Sequence, residues 1–262
     1  NSVTSDDLIT PRMVDHFKQT LGEHCFKLND VPPGIHWCLA PGAVGPDALG
    51  PDGHPKLGGF LPEIPYARRM WAGGWLEFYD DFKIGDHVKR HSQIDDIAFK
   101  SGKSGNLCFV AITHEFSVDG GLKLRERHDV VYREEVTPAP VLAPIADSNA
   151  AHRWHVDTNT VMLFRYSALT FNGHRIHYDL PYSTNIEGHG GLLVHGPLQA
   201  TLMLNLACSV AGKLPEKMTY RGVRPLVCGD PIMIDADSED GNLVACVRSA
   251  DGNVTMKATV TL

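Results

Sequence analysis

The stretch from Pro197 to Ala211 is apolar on nearly every side and stops at Gly212. Leu198, Leu202, Leu206 and Val210 share one helical face, while Met203, Leu204, Ala207 and Cys208 fill the others. A helix that is apolar all round has to be buried. Pro in its first turn and Gly just past its end fix its limits by backbone chemistry. Strand-like segments follow at 217–223, 231–236, 243–249 and 254–262, the last two joined by an Asp251-Gly252-Asn253 turn. One buried helix surrounded by an antiparallel sheet is an α+β unit.

The first half repeats the sheet without an equally clear helix. Residues 1–30 read as helical from the spacing of Leu8, Met13, Phe17 and Leu21. Residues 31–66 are rich in Pro and Gly and should be irregular, a length of loop that is often functional. Strand signals then run through 75–79, 87–97, 107–116 and 129–134, separated by Gly-containing turns. Residues 61–71 stand where a central helix would belong, but Pro62 and Pro65 weaken it. Three prolines between Thr137 and Pro144 mark a linker. The expected organisation is a degenerate N-terminal unit (1–136), a linker (137–150) and a C-terminal unit (151–262). Within the latter, 161–170 reads as a strand and 174–182 as a short helix.

Composition removes several function classes. The chain of 262 residues has a net charge of −7, and both halves carry more acid than base, which argues against nucleic acid as a partner. No run is apolar enough for a membrane span and no signal peptide is visible, so no membrane partner is expected. The expected location is cytoplasmic, or mitochondrial if a transit peptide has been removed. Six cysteines without a CxxC pair fit a reducing compartment rather than a zinc ribbon.

The densest polar cluster is Thr170-Phe-Asn-Gly-His-Arg-Ile-His-Tyr-Asp179. Asn172 and His177 can face one cleft across a turn. Histidine moves protons near neutral pH, and Asn orients a water or carbonyl without carrying a proton. Asn172 can equally serve as a local turn cap, and His177 as a core histidine holding a backbone group. Gly196 heads the buried helix, where unpaired N–H groups and the dipole can hold an oxyanion. Arg68, Arg69 and Arg175 are candidates for phosphates or a substrate carboxylate. His174, His177 and Asp179 form a weak metal set, and no metal is expected. His24, His36, His54, His87, His91 and His114 carry no functional signal.

Residues 164–179, with Val194-His-Gly-Pro-Leu-Gln-Ala-Thr-Leu202 after them, resemble the MaoC-like hot-dog hydratases and dehydratases of acyl thioesters. Asp52-Gly-His-Pro55, Gly58-Gly-Phe-Leu-Pro62, Arg68-Arg-Met-Trp-Ala-Gly-Gly74 and 128–134 extend the likeness over about residues 45–262. They resemble most the subgroup that includes mesaconyl-C4-CoA (3-methylfumaryl-CoA) hydratases, itaconyl-CoA hydratases and mitochondrial type 2 hydroxyacyl-thioester dehydratases.

The resemblance implies a double hot dog with its first unit degenerate, acyl-CoA as the small-molecule partner, no cofactor, and a homodimer. It implies His177 as the acid/base and Gly196 as the oxyanion donor. In related hydratases an Asp precedes the His by five residues; here that place holds Asn172, so a carboxylate from elsewhere is an open alternative. The implied reaction is reversible hydration of an enoyl-CoA, preferably a branched C5 dicarboxylyl-CoA giving citramalyl-CoA. The alternatives are dehydration of fatty 3-hydroxyacyl thioesters and non-catalytic acyl-CoA binding.

Overall fold

The computed structural model describes residues 1–66, 68–102, 105–134, 143–145 and 149–262. The expected linker at 137–150 falls largely outside them. Ten strands form one sheet: β1 (Ser2–Leu8), β2 (Arg68–Phe78), β3 (His87–Gly102), β4 (Gly105–Val118), β5 (Gly121–Arg133), β6 (His152–Asp157), β7 (Lys217–Gly222), β8 (Pro231–Glu239), β9 (Asn242–Arg248) and β10 (Val254–Thr261). Their order is β1-β3-β4-β5-β2-β7-β10-β9-β8-β6. Read outward from the β2–β7 seam, both halves show the same connectivity, and every neighbouring pair is antiparallel.

The seam depends on glycine. Gly73 and Gly74 follow a bulge in β2 and have φ of 158° and 155°. A Cβ on Gly74 would run into the Arg127 carbonyl of β5. Without side chains here, β5 and β7 both close onto β2.

Three helices matter for the site. The helix α1 (Pro11–Leu21) starts where Thr10 Oγ1 accepts the Met13 N–H at 3.1 Å, and it buries Val14, Phe17 and Leu21. The helix α2 spans Thr160–Thr170 and α3 spans Gly196–Ala211. Every residue of α3 from Leu198 to Cys208 is buried against the C-terminal half of the sheet, as its all-round apolarity predicts. Each Leu or Met there contributes roughly 1.5–3 kcal/mol of burial. Gln199, Thr201 and Asn205 are the polar exceptions, and Asn205 ties the helix to the first half of the chain. Its Oδ1 accepts the Phe26 N–H at 2.9 Å and its Nδ2 donates to the Pro33 carbonyl at 3.0 Å, pinning the irregular N-terminal segment to the helix. Among the described residues of the first half no long helix occupies the equivalent place. The loop residues Leu57, Phe60, Leu61, Ile64 and Tyr66 instead cover Cys108, Val110, Ile112, Val130 and Tyr132.

Three local expectations are corrected. Residues 2–8 form an edge strand on β3 rather than the start of a helix, because the helix cannot begin before its Thr10 cap and Pro11. Residues 161–170 are helical rather than extended. Short apolar runs are ambiguous between the two states, and Asn159, accepting the Met162 N–H at 2.9 Å, decides for helix. Residues 174–182 hold only one 3-10 turn, Arg175–His177, followed by a π-type turn at Tyr182–Ile186. All six cysteines are free thiols. Among the described residues no helix is long and apolar enough to cross a membrane.

Candidate active site

The turn after α2 brings His177 under the start of α3. Phe171 ends α2 in a left-handed conformation (φ 51°), and the chain doubles back through Asn172 and Gly173 into the 3-10 turn. His177 is buried, and its Nδ1 lies 2.8 Å from the Leu193 carbonyl. A carbonyl only accepts, so Nδ1 carries the proton and Nε2 the lone pair. Nε2 has no hydrogen-bond partner among the described residues. Burial pushes the His177 pKa down to about 4, against the opposing pull of the Leu193 carbonyl. The ring is therefore a neutral base at pH 7.

His195 fixes the plane of that ring. The two imidazoles stack at 3.6 Å with 20° between planes, and His195 Nε2 meets Ser167 Oγ of α2 at 2.8 Å. His195 is fully buried and is held well below its ordinary pKa by burial and by the neighbouring His177 and His174. It is the N-cap residue of α3, whose first N–H, that of Gly196, has no intrahelical acceptor. A Cβ on Gly196 would come within 2.6 Å of Trp71 Cε3, so only glycine lets the helix start and the indole meet. Trp71 in turn stacks on Tyr220 at 4.8 Å across the β2–β7 seam.

Asn172 makes the turn cap that was one of its two expected roles. Its Oδ1 accepts the His174 N–H at 2.9 Å.

The long loop of the first half reaches the same place. The Arg175 N–H donates to the Asp52 carbonyl at 2.9 Å, and Arg175 Nη1 donates to the Pro51 carbonyl at 3.0 Å. Asp52 Oδ2 lies 2.9 Å from His54 Nδ1. Burial works to raise the Asp52 carboxyl, but the hydrogen bonds from His54 outweigh it and hold the group down to about 2. The His54 ring lies 4.3 Å from that of His174, which stands edge-on to His177 at 5.6 Å. Burial and the neighbouring His54 hold His174 down to about 2. His54 had no functional signal in the sequence alone. The clue available was Asp52-x-His54, a carboxylate two residues from an imidazole inside a long loop.

The three arginines separate. Arg68 is consumed by Glu187 Oε2 at 2.5 Å and by the Glu187 and Ile186 carbonyls. Arg175 is held by Asp179 Oδ2 at 2.7 Å and lies over the Tyr182 ring. That bond also removes Asp179 from the weak metal set. Arg69 forms no ion pair with a carboxylate among the described residues, and its charge bears on His54, His174 and Tyr132. Of the three, it is the one whose charge acts on His54 and His174. Asp52, His54 and His174 also hold ligand-type atoms within 4.8 Å of one another.

A sheet of two like halves and one long buried helix define a double hot-dog protein. Comparison with known proteins agrees. The structure matches that of HtdX from Mycobacterium tuberculosis with a TM-score of 0.71 at 16% identity, covering 100% of this chain and 99% of that one. It matches a second M. tuberculosis protein described as a double hot dog with a TM-score of 0.58 at 13% identity, covering 99% and 93%. In sequence the chain is 38% identical over 237 residues to the mesaconyl-C(4)-CoA hydratase of Chloroflexus aurantiacus, covering 88% of this chain and 84% of that protein. It is 27% identical to the mitochondrial hydroxyacyl-thioester dehydratase type 2 of Schizosaccharomyces pombe, covering 92% and 91%. The family model for hydroxyacyl-thioester dehydratase type 2 matches residues 34–228. The chain belongs to that family.

Proposed function

We propose that this protein is a hydro-lyase that reversibly hydrates an enoyl-CoA, with a branched C5 dicarboxylyl-CoA such as mesaconyl-C4-CoA or itaconyl-CoA as substrate and citramalyl-CoA as product. The observation that carries the chemistry is His177, neutral, buried and oriented by the Leu193 carbonyl so that Nε2 is its basic atom. As the water oxygen bonds to the carbon β to the thioester, Nε2 takes its proton. The Gly196 N–H holds the negative charge that moves onto the thioester oxygen. The imidazolium then returns a proton to the α carbon. Asn172 orients the turn and, through its amide, the water. The reaction calls for no redox cofactor.

The substrate class rests on Arg69. In mesaconyl-C4-CoA the free carboxylate is bonded to the same carbon that water attacks. The cation that reads it must then stand beside the catalytic histidine. Arg69 is the candidate, because its charge acts on His54 and His174, the latter edge-on to His177, while Arg68 and Arg175 are neutralised by acidic partners. Itaconyl-CoA, whose double bond is not conjugated with the thioester, would need isomerisation first. The relatives named as mesaconyl-C(4)-CoA hydratase and as type 2 dehydratase support the reaction class. The division into units 1–136 and 151–262, joined by 137–150, is part of this reading, as is a homodimer. The symmetric strand order supports the division.

The test compares mesaconyl-C4-CoA with crotonyl-CoA, using wild type, His177→Ala and Arg69→Gln. Faster turnover of the dicarboxylyl thioester is expected, abolished by His177→Ala. Arg69→Gln should raise its KM about tenfold and leave that of crotonyl-CoA alone. A preference for crotonyl-CoA assigns fatty-acyl dehydration instead. Binding of both without turnover assigns an acyl-CoA-binding protein.

A further inference from the structure

The imidazolium formed at His177 is buried, and a buried cation needs an anion. Asn172, five residues upstream, is an amide and supplies none. The acidic side chains around the site are Asp52, Asp179 and Glu187, and the last two are held by Arg175 and Arg68. Among the described residues no arginine pairs with the Asp52 carboxylate; its Oδ2 meets His54 Nδ1 and its Oδ1 accepts the His54 N–H at 3.0 Å.

The loop that carries Asp52 is docked on the catalytic turn. Besides the two bonds from Arg175, Gly53 approaches the Gly173 carbonyl so closely that a Cβ would overlap it. Tyr178 Oη donates to that same carbonyl at 3.0 Å. The result is an unbroken file of side chains, Asp52, His54, His174 and His177, crossing from the first half of the chain to the second.

We infer that Asp52 is a positioning residue for the hydration, replacing through His54 and His174 the carboxylate that position 172 lacks. In this role Asp52 stays ionised from start to finish. The proton leaves water for His177 Nε2 and goes from there to the α carbon, so no net proton is stored in the file. Asp52 holds the His54 tautomer with its Nδ1–H toward the carboxylate, sets the His174 ring, and places negative potential toward the charge that develops on His177. This inference rests on the hydratase reading.

The same three groups could instead be metal ligands. Two observations favour the file. The Asp52–His54 contact is already a hydrogen bond, and the Arg69 charge bears on both His54 and His174, which would repel a cation.

The experiment measures kcat and KM against pH for wild type, Asp52→Asn, Asn172→Asp and the double variant, with mesaconyl-C4-CoA and crotonyl-CoA, with and without a chelator. The groups facing the file are Asp52, Arg69, Glu187, His189 and His195 besides its histidines. Asp52→Asn should lower kcat about a hundredfold while KM changes less than about threefold. Its acid limb should move to lower pH, because Asp52 raises the pKa of His54 and His174. Adding Asn172→Asp should restore at least about tenfold of the lost kcat by returning a carboxylate to the turn.

A kcat within threefold of wild type in Asp52→Asn overturns the inference. So does a loss with an unmoved acid limb and no recovery in the double variant, which makes Asp52 only a loop anchor. Loss of activity on chelation, regained with zinc, overturns it in favour of a metal. If wild type ignores mesaconyl-C4-CoA but hydrates crotonyl-CoA, the substrate assignment fails while the same variants still decide the role of Asp52.

Discussion

Two clusters of buried and half-buried histidines are built oppositely. In the first half, His36, His114 and His128 surround Glu126, which is 1% exposed. Glu126 Oε1 accepts from Trp37 Nε1 at 2.6 Å, contacts His128 Nε2 at 2.5 Å, and lies 3.8 Å from His36 Nε2. Burial alone would raise that carboxyl, but its histidines hold it well below the usual carboxylate range. In the other cluster, His54 from the first half and His174, His177 and His195 from the second have Asp52 as their hydrogen-bonded carboxylate, at the far end of the file. One cluster saturates a central charge. The other leaves an imidazole nitrogen bare beside a helix start. The lesson is that a central anion, more than burial or residue type, separates a scaffold cluster from a reactive one: His36 Nε2 also lacks a hydrogen-bond partner, but it lies 3.8 Å from the Glu126 charge.

The comparison predicts a double dissociation. His177→Ala should cost about a thousandfold in kcat/KM and little in thermal stability, since it deletes a base and one backbone bond. Glu126→Gln should do the reverse. Breaking a buried charged network costs about 3 kcal/mol, or roughly 6–12 °C in Tm, with kcat changed far less. Melting curves and steady-state kinetics on the same preparations check both. Loss of activity in Glu126→Gln at full stability would make the first cluster part of the site.

Gly196→Ala sharpens the second side. The added methyl collides with Trp71, so either the indole or the first turn of α3 must move. A fall in kcat of about ten- to a hundredfold with KM nearly constant is the expected mark of a displaced oxyanion donor. An equal rise in KM alone would assign Gly196 to substrate packing.

These contrasts follow the sequence unevenly. The helix α3 could be read directly, because apolarity all round a 3.6-residue period has one physical solution, and so could the strands separated by glycine turns. The helix α2 could not, because the run from Val161 to Leu169 satisfies either state and only the Asn159 cap tips it. His177, Asn172 and Gly196 stood close together in the chain and could be picked from a local motif. Asp52 and His54 lie about 120 residues away, and the docking of their loop on Gly173 is a tertiary fact with no local signature. The arginines looked alike in sequence, because only folding supplied Glu187 and Asp179 to two of them and neither to Arg69.

The smallest effect concerns acid stability. Burial lowers His36 and His177 to about 4 and His114 to about 3. The unfolded chain binds these protons near the ordinary value of about 6.5, while the folded chain refuses them until the lower values are reached. The stability that neutral histidines confer is therefore complete above about pH 6.5 and is lost as pH falls toward 4. Each contributes a slope of at most about 1.4 kcal/mol per pH unit. Glu126 adds loss in the same direction, but only below its ordinary range near 4.5. The Tm should be level from pH 8 to 7 and decline below 6.5. His177→Gln should fall less steeply between pH 6.5 and 4.5, having one refusing group fewer, whereas Glu126→Gln should keep the full slope there. Without Glu126 to raise them, His36 and His114 refuse protons to still lower pH. A Tm level down to pH 5 in the wild type would mean that these imidazoles are not shielded from water. The contrast between a saturated and a bare cluster would then lose its basis.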